Sequence, residues 1–446
     1  MSELVLEKNE SIPYNWIHTT IGEISSKIHY GYTTKSTKEK IGLKYLRITD
    51  IQNNSIKWED VPSCQTLPKN LSEFLLRSND LVFARTGATV GKSFLMKNPP
   101  ESVFASYLIR IILSEKIYAN YVNYFFKSSL YWNQIRSGSV GMAQPNFNAT
   151  KLSKIKIPLP PLNEQKRIVA KIEELFSLLD STLKSLTEIQ IRVEQYRHSL
   201  IRWIFLGDFK QTFSFSSEWK QTTVGNVYKI LGGGTPSTKN SKYWGGKIPW
   251  ITSADICGIQ DIRPRRTVTQ IGVKNSATHI IPKNSILIVT RVGLGKVAIS
   301  SEELCVNQDI QALVEHDSSI DPIFALYYLS EMVQIFKYQS RGTTINGVTK
   351  KQLFDLPFVV PSMEDQKKIV DFIEIQMTQL MVVEKTIKEN FTKLNSMKNL
   401  ILQQAFEGKL VPQDPNDEPA EILLEKIKQE KQKIISQSKR GKKNDK

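Results

Sequence analysis

The chain has 446 residues, with 60 Lys and Arg against 44 Asp and Glu, a net charge of +16 and a pI of about 9.4. This is room for two to four domains with real cores, and the basic balance suits a polyanionic partner such as nucleic acid. Three scattered cysteines without a CxxC exclude a disulfide framework or a zinc ribbon and fit a reducing cytoplasm, no apolar run reaches the roughly 18 residues that span a bilayer, and the acidic, polar N-terminus is not a signal peptide.

The first element opens at Trp16-Ile17-His18-Thr19-Thr20-Ile21-Gly22 and continues through short β-rich runs ended by glycine turns, among them Asn79 to Gly87 and Gly91-Lys92. The same plan restarts at Trp219-Lys220-Gln221-Thr222-Thr223-Val224-Gly225. Asn284 to Gly293 echoes the first Asn-to-Gly run, and Gly295-Lys296 the first Gly-Lys. Each copy therefore predicts a mixed, strand-rich head of roughly 150 residues.

Each head leads into a long helix. Ile168, Ile172, Leu175, Leu179, Thr182, Leu186, Ile189, Val193, Tyr196, Leu200 and Trp203 alternate steps of four and three, the signature of a heptad seam. An offset of 201 residues carries this seam to Ile369, Ile373, Gln376, Leu380, Val383, Ile387, Asn390, Leu394, Met397, Ile401 and Gln404, now with three polar positions. Prolines before each helix and Gly207 or Gly408 after it mark the ends. The expected pairing residues are Ile168, Ile172, Leu175, Leu179, Leu186, Ile189 and Val193 in one rod, and Ile369, Ile373, Leu380, Val383, Ile387, Leu394 and Ile401 in the other. The second head starts where the first rod ends and finishes where the second begins, so the rods should pair antiparallel.

The boundaries follow: head 1 at 1–157, rod 1 at 158–208, head 2 at 209–357, rod 2 at 358–411, and a tail at 412–446. The tail holds a Pro/Asp linker, a helix from Ala420 to about Ile435, and a Lys-rich end that reads either as an electrostatic arm or as a solvated terminus. The fold class is α+β: two strand-rich heads separated by two long helices in an antiparallel coiled coil, with a pseudo-twofold internal repeat.

No catalytic constellation is legible. The five histidines lack metal-ligand spacing, and His316-Asp317 reads as a loop. Gly232-Gly233-Gly234-Thr235 lacks the Gly-Lys-Ser/Thr of a phosphate loop, so its glycines serve close backbone approach. Asn98-Pro99-Pro100-Glu101 resembles the Asn-Pro-Pro-aromatic signature of adenine methyltransferases, but Glu101 cannot stack on a flipped base. What remains is binding chemistry. Arg and Lys neutralise phosphates, and Arg reads guanine edges. The candidate DNA contacts are Thr33, Thr34, Lys35, Arg47, Arg85, Thr86 and Lys92 in head 1. In head 2 they are Thr235, Ser237, Lys239, Arg263, Arg265 and Arg291, with Arg266 in the same basic run.

The stretch Leu159-Pro160-Pro161-Leu162-Asn163-Glu164-Gln165-Lys166-Arg167-Ile168-Val169 resembles the entry into the first helix of type I restriction–modification specificity subunits. Phe406-Glu407-Gly408-Lys409-Leu410-Val411-Pro412 resembles the family's C-terminal segment. Gly233-Gly234-Thr235-Pro236-Ser237 with Tyr243-Trp244 and Ile248-Pro249-Trp250 resembles the start of a target-recognition domain. The second repeat departs from the pattern, with Met363-Glu364-Asp365 in place of the commoner Leu-Asn-Glu type. The resemblance implies two target-recognition domains, each reading one half of a bipartite, asymmetric site in double-stranded DNA. It also implies helices that set the spacer and dock two methyltransferase subunits, and restriction/translocase subunits beyond them. S-adenosylmethionine, ATP and Mg would act on those partners, and this chain would bind no cofactor or metal, catalyse nothing and work in the cytoplasm. The rival expectations are the recognition subunit of a motor-less two-part enzyme and a coiled-coil adaptor without DNA affinity.

Overall fold

A computed structural model describes residues 12–39, 42–52, 54–139, 147–207, 209, 215, 219–315, 318–334, 336 and 347–444. The chain forms two compact units. One comprises residues 1–185 and 389–446, the other residues 186–388, so each unit joins one head to part of both rods.

In the first unit the central sheet orders its strands Ser25–Tyr30, Leu108–Leu113, Leu81–Ala84 and Ser93–Leu95, all antiparallel. Strand Leu81–Ala84 is buried on both faces, and its period of two divides it between two cores. Leu81 and Phe83 face the large cluster shared with the rods, whereas Val82 and Ala84 face a smaller one with Leu46, Phe104 and Leu108. The second unit repeats this device. Its sheet runs Lys229–Gly232, Ile310–Val314, Ile286–Val289 and Val297–Ile299. Ile286 and Ile288 enter the rod-side core, while Leu287 and Val289 enter the distal one.

Each head has a second four-stranded sheet built on a parallel pair, Ser102–Phe104 with Lys44–Leu46 in one and Leu304–Val306 with Trp244–Ile251 in the other. Here the copies diverge at the edge. Head 1 adds Ser36–Thr37 beside Ser63–Cys64, and head 2 adds Ile280–Ile281 on the Leu304–Val306 side. The scaffold tolerates chemical change as well. Arg110 and Asp80 form a buried ion pair at 2.6 Å in head 1, while the equivalent strand register places Ala312 and Ser285 at these positions in head 2.

The entrance to each rod is an antiparallel strand pair, Ile17–Thr20 with Lys156–Leu159 and Lys220–Thr223 with Pro357–Val360. Prolines then stop the strand, and in the second rod the Ser362 hydroxyl caps the helix by accepting the Asp365 N–H at 3.1 Å. The rods are Leu162–Leu206, of 45 residues, and Met363–Phe406, of 44.

The Pro-x-x-x-Glu/Asp-Gln motif has a physical explanation. The Gln165 Nε2 donates to the Pro160 carbonyl at 3.0 Å, and its Oε1 accepts the Tyr118 N–H at 3.0 Å. Tyr118 caps the head helix Ala119–Phe125. Gln366 repeats this clamp, donating to Pro361 at 2.9 Å and Ser319 at 2.8 Å and accepting from Asp321 N–H at 2.8 Å. One amide thus ties a helix cap to the rod entrance, using both ends of the group. Beside Gln165, Glu164 is fully buried against Trp16, and burial pushes its carboxyl up despite the indole and Arg167. Gln165→Ala is expected to cost about 1–3 kcal/mol in urea unfolding, because the Tyr118 N–H loses its partner in a part-buried site. Gln165→Glu keeps an acceptor for the Tyr118 N–H but lacks the donor to Pro160, so it should rescue only part of the loss. A loss below about 0.5 kcal/mol for Gln165→Ala would show that the motif is not a clamp.

The helices pair antiparallel in each unit. In the first, Ile168 and Ile172 share a core with Leu402, Ala405 and Phe406, while Asp180 further along meets Lys398 at 2.6 Å. In the second, Leu200, Ile201 and Ile204 pack with Ile369, Val370 and Ile373, while Arg197 meets Glu384 at 2.6 Å.

Of the expected pairing residues, Ile168, Ile172, Leu179, Val193, Ile369, Ile373, Leu380 and Ile387 are buried. Leu175, Leu186, Leu394 and Ile401 are half-buried, and Ile189 and Val383 are exposed, at 44% and 40%. Phe176, Leu183 and Arg197 are half-buried and Ile204 buried, each one residue beyond an expected position. The inner stripe is therefore wider than a two-residue seam, as expected of a helix that packs on both a partner helix and a head.

The tail helix extends over Ala420–Asn444, beyond the expected end near Ile435. Its first turns are not a solvated terminus. Ala420, Leu423, Leu424 and Ile427 are buried in the first unit's core, and Lys431 donates to the Gly22 carbonyl.

Candidate nucleic-acid interface

Both heads carry the same backbone frame at one edge. In head 1 the Gly31 N–H donates to the Leu108 carbonyl at 3.1 Å, Tyr32 to Phe104 at 2.8 Å, Arg85 to Tyr107 at 3.1 Å, and Phe147 to Arg85 at 2.9 Å. In head 2 Gly233 donates to Ile310 at 3.3 Å, Gly234 to Val306 at 2.9 Å, Thr290 to Asp309 at 2.8 Å, and Val348 to Thr290 at 2.7 Å. The glycines are steric necessities. A Cβ on Gly31 would lie 2.3 Å from the Ala105 carbonyl oxygen, and one on Gly233 2.1 Å from that of Asn307.

The frame gathers the candidates of head 1 around the turn at residues 104–108. Thr33 and Lys35 are exposed and Thr34 half-buried on the segment that follows Tyr32. The Arg85 guanidinium lies over the Tyr30 ring, 4.7 Å from its centroid, and the Tyr30 hydroxyl is anchored by the Ala149 N–H at 3.0 Å. Thr86 is half-buried next to it, Lys92 is exposed, and the Lys92 carbonyl accepts the Ala84 N–H at 2.8 Å. Arg47 flanks the turn but is engaged, with Nε 3.1 Å and Nη2 2.7 Å from the Asp50 carboxylate. Tyr107, which sequence reasoning did not single out, is 60% exposed on the turn itself.

In head 2 the Thr235 hydroxyl donates to Gln308 at 2.6 Å, and the Ser237 carbonyl accepts the Trp244 indole N–H at 3.2 Å. Lys239 is exposed on the same loop. Arg291 is exposed, but the frame equates Thr290, not Arg291, with Arg85. The two Arg-containing turns are thus out of step by one residue, and a matching Arg in both sequences does not occupy a matching place.

The run Arg263 to Arg266 divides sharply. Arg263 is forked onto Asp261 at 3.0 and 2.7 Å, and Arg265 contacts Asp255 at 2.6 Å. Burial opposes ionisation of Asp255, but Arg265 and the Thr252 hydrogen bonds outweigh it and hold the carboxyl below its usual range. Arg266 instead stacks on Trp244, 3.8 Å from the ring centroid, and Trp244 stands edge-on to Trp250 at 5.1 Å. The sequence signal for this stack was the pair Tyr243-Trp244, legible only once strand Arg266–Val268 is laid antiparallel to Trp244–Ile251.

The remaining motifs are structural. Asn98 sits at φ 45° in a turn, hydrogen-bonded to Ser78 at 3.1 and 2.9 Å. The Lys296 ammonium ties down the carbonyls of Ser253 at 2.8 Å and Ile256 at 2.9 Å. His316 and Asp317 lie outside the described residues. Among the described residues no group of three His, Cys, Asp or Glu is placed to hold a metal, and no helix is long and apolar enough to cross a membrane.

Two heads that share a backbone frame but display different cations, hydroxyls and rings define a duplicated, two-site recognition protein. The chain matches the family described as type I restriction modification DNA specificity domain twice, over residues 13–191 and 216–391. It is 26% identical to the StySPI specificity subunit of Salmonella potsdam and 25% identical to the EcoKI specificity subunit of Escherichia coli K12, each alignment covering 94% of this chain and 96% of the relative. Its fold is similar to that of the HsdS subunit from Thermoanaerobacter tengcongensis, with a TM-score of 0.58 at 21% identity over 90% of this chain and 99% of that one. A chain solved in work on complex assembly and conformational transition of the type I R-M system gives 0.66 at 21% identity, with the same coverage. The chain belongs to the specificity subunits of type I restriction–modification systems, with two DNA specificity domains in tandem.

Proposed function

We propose that this chain supplies the DNA sequence specificity of a type I restriction–modification complex and carries out no chemistry itself. Each head reads one half of a bipartite, asymmetric site in double-stranded DNA. The paired rods set the gap and dock two methyltransferase subunits, with restriction/translocase subunits completing the assembly. S-adenosylmethionine, ATP and Mg act on those partners in the cytoplasm, not on this chain. The observation that carries the reading is the repeated frame with unlike surfaces: a duplicated scaffold presents two different sets of side chains, as two unlike half-sites require. Cations in both heads provide phosphate attraction, and Arg with exposed Tyr and Thr provides the base-edge and stacking chemistry of groove readout.

The test is a genome-wide map of N6-methyladenine in the host with the gene intact and deleted. Loss of methylation at one split motif with a fixed gap is the expected result. If a host with an active partner methyltransferase keeps every methylated motif after deletion, the reading is wrong.

A further inference from the structure

We infer that Arg266 is the guanine reader of head 2, held in reading position by its stack on Trp244. This rests on the DNA-reading role proposed above. Among the arginines of its run, Arg263 is forked onto Asp261 through Nε and Nη2, and Arg265 is tied through Nε to the buried Asp255 carboxylate. Arg266 is exposed, and its guanidinium carbon lies over the Trp244 ring, 3.8 Å from the centroid, with Trp250 at 5.9 Å. The cation–π contact restrains the guanidinium while no carboxylate among the described residues pairs with it, so its donor fork is available for two parallel hydrogen bonds to O6 and N7 of guanine.

The platform is built into the fold. Arg266 is registered opposite Trp250 on the edge strand. The Trp244 indole N–H is anchored on the Ser237 carbonyl at 3.2 Å and that of Trp250 on the Gly234 carbonyl at 3.0 Å. Both anchors lie on the loop that bears Thr235, Ser237 and Lys239. The reader therefore stands beside the loop that exposes Ser237 and Lys239, a hydroxyl and a cation suited to phosphates, and such contacts would set the register in which it meets a base. An unstacked surface lysine or arginine samples many rotamers and suits a phosphate better than a base edge. Head 1 offers a parallel in Arg85 on Tyr30, with a half-buried arginine in place of an exposed one.

The experiment selects bound duplexes from a randomised pool with the full chain and its methyltransferase partner. It compares wild type with Arg266→Ala, Arg266→Lys and Trp244→Ala. Wild type is expected to select a split motif with a guanine in the head 2 half. Arg266→Ala should lower the preference for that base pair on the order of 10–100-fold and leave the other half and the gap unchanged. Lysine should restore affinity but not the guanine preference, and Trp244→Ala should give an intermediate relaxation. Thermal unfolding of each variant reports any loss of fold.

If Arg266→Ala keeps the guanine preference, or weakens all sequences evenly, Arg266 is a phosphate contact and the inference is overturned while the DNA-reading role stands. If wild type selects no motif, the DNA-reading role fails and the inference with it.

Discussion

Inserting one heptad into each rod, near Leu186 in the first and Thr392 in the second, is expected to widen the gap between half-sites by about three base pairs. Seven residues at 1.5 Å add roughly 10 Å, and base pairs stack about every 3.4 Å. A whole heptad returns the inner stripe to the same face, so the antiparallel pairing seen at Asp180–Lys398 and Arg197–Glu384 survives. Both half-sequences should remain as they were, because neither head is touched. Methylation mapping in cells carrying the doubly lengthened chain checks this. A motif with its original gap would show that the rods do not set the spacing. Changed half-sequences would show that the rods shape the reading surfaces.

Phe406→Ala should be among the most damaging single substitutions, at a cost of about 3–5 kcal/mol. Phe406 ends the second rod at 1% exposure, with its ring 5.2 Å from Tyr121 and 5.5 Å from Phe125, both fully buried in head 1. Truncation opens a cavity where the rod end and the head share one core, and rigid neighbours cannot collapse into it. The repeat provides an internal control. Phe205, its counterpart in the first rod, packs on Phe324 and Tyr328 at 5.7 and 5.3 Å but is only half-buried. Phe205→Ala should therefore cost clearly less, with less apolar surface leaving water in the wild type. Urea unfolding of both variants is the measurement. Equal losses would mean that burial at the rod ends is not what distinguishes the two units.

Much of the fold was legible because it is written in local periodicity and in repetition. The two rods, their proline entrances, the duplication and the antiparallel pairing follow from heptad spacing, a repeat whose offset drifts only from 203 residues at the head starts to 201 at the rods, and chain connectivity. The glycine turns were legible for the same reason, since Gly233 and Gly234 lie where backbone meets backbone. The motif itself was visible, but not its cause. Gln165 reaches Tyr118, 47 residues earlier, and no local pattern discloses that bond.

The reading surface was only partly legible. The sequence of this protein by itself determined where the cations cluster, because composition near turns is a local property. Only the tertiary structure decided which of them are displayed. Arg265 is retired by Asp255, ten residues away, and Arg47 by Asp50, while Arg266 is held outward by a ring from a neighbouring strand. The structure also decided that Arg85 and Arg291 are not equivalents, and that the basic tail begins as a packed helix. Apart from Arg47, whose partner lies three residues on, the determinant is a contact between stretches that are separate in sequence. Periodicity reports which face of an element is apolar; which partner covers it, and which charge is neutralised there, follows only when the elements are folded together.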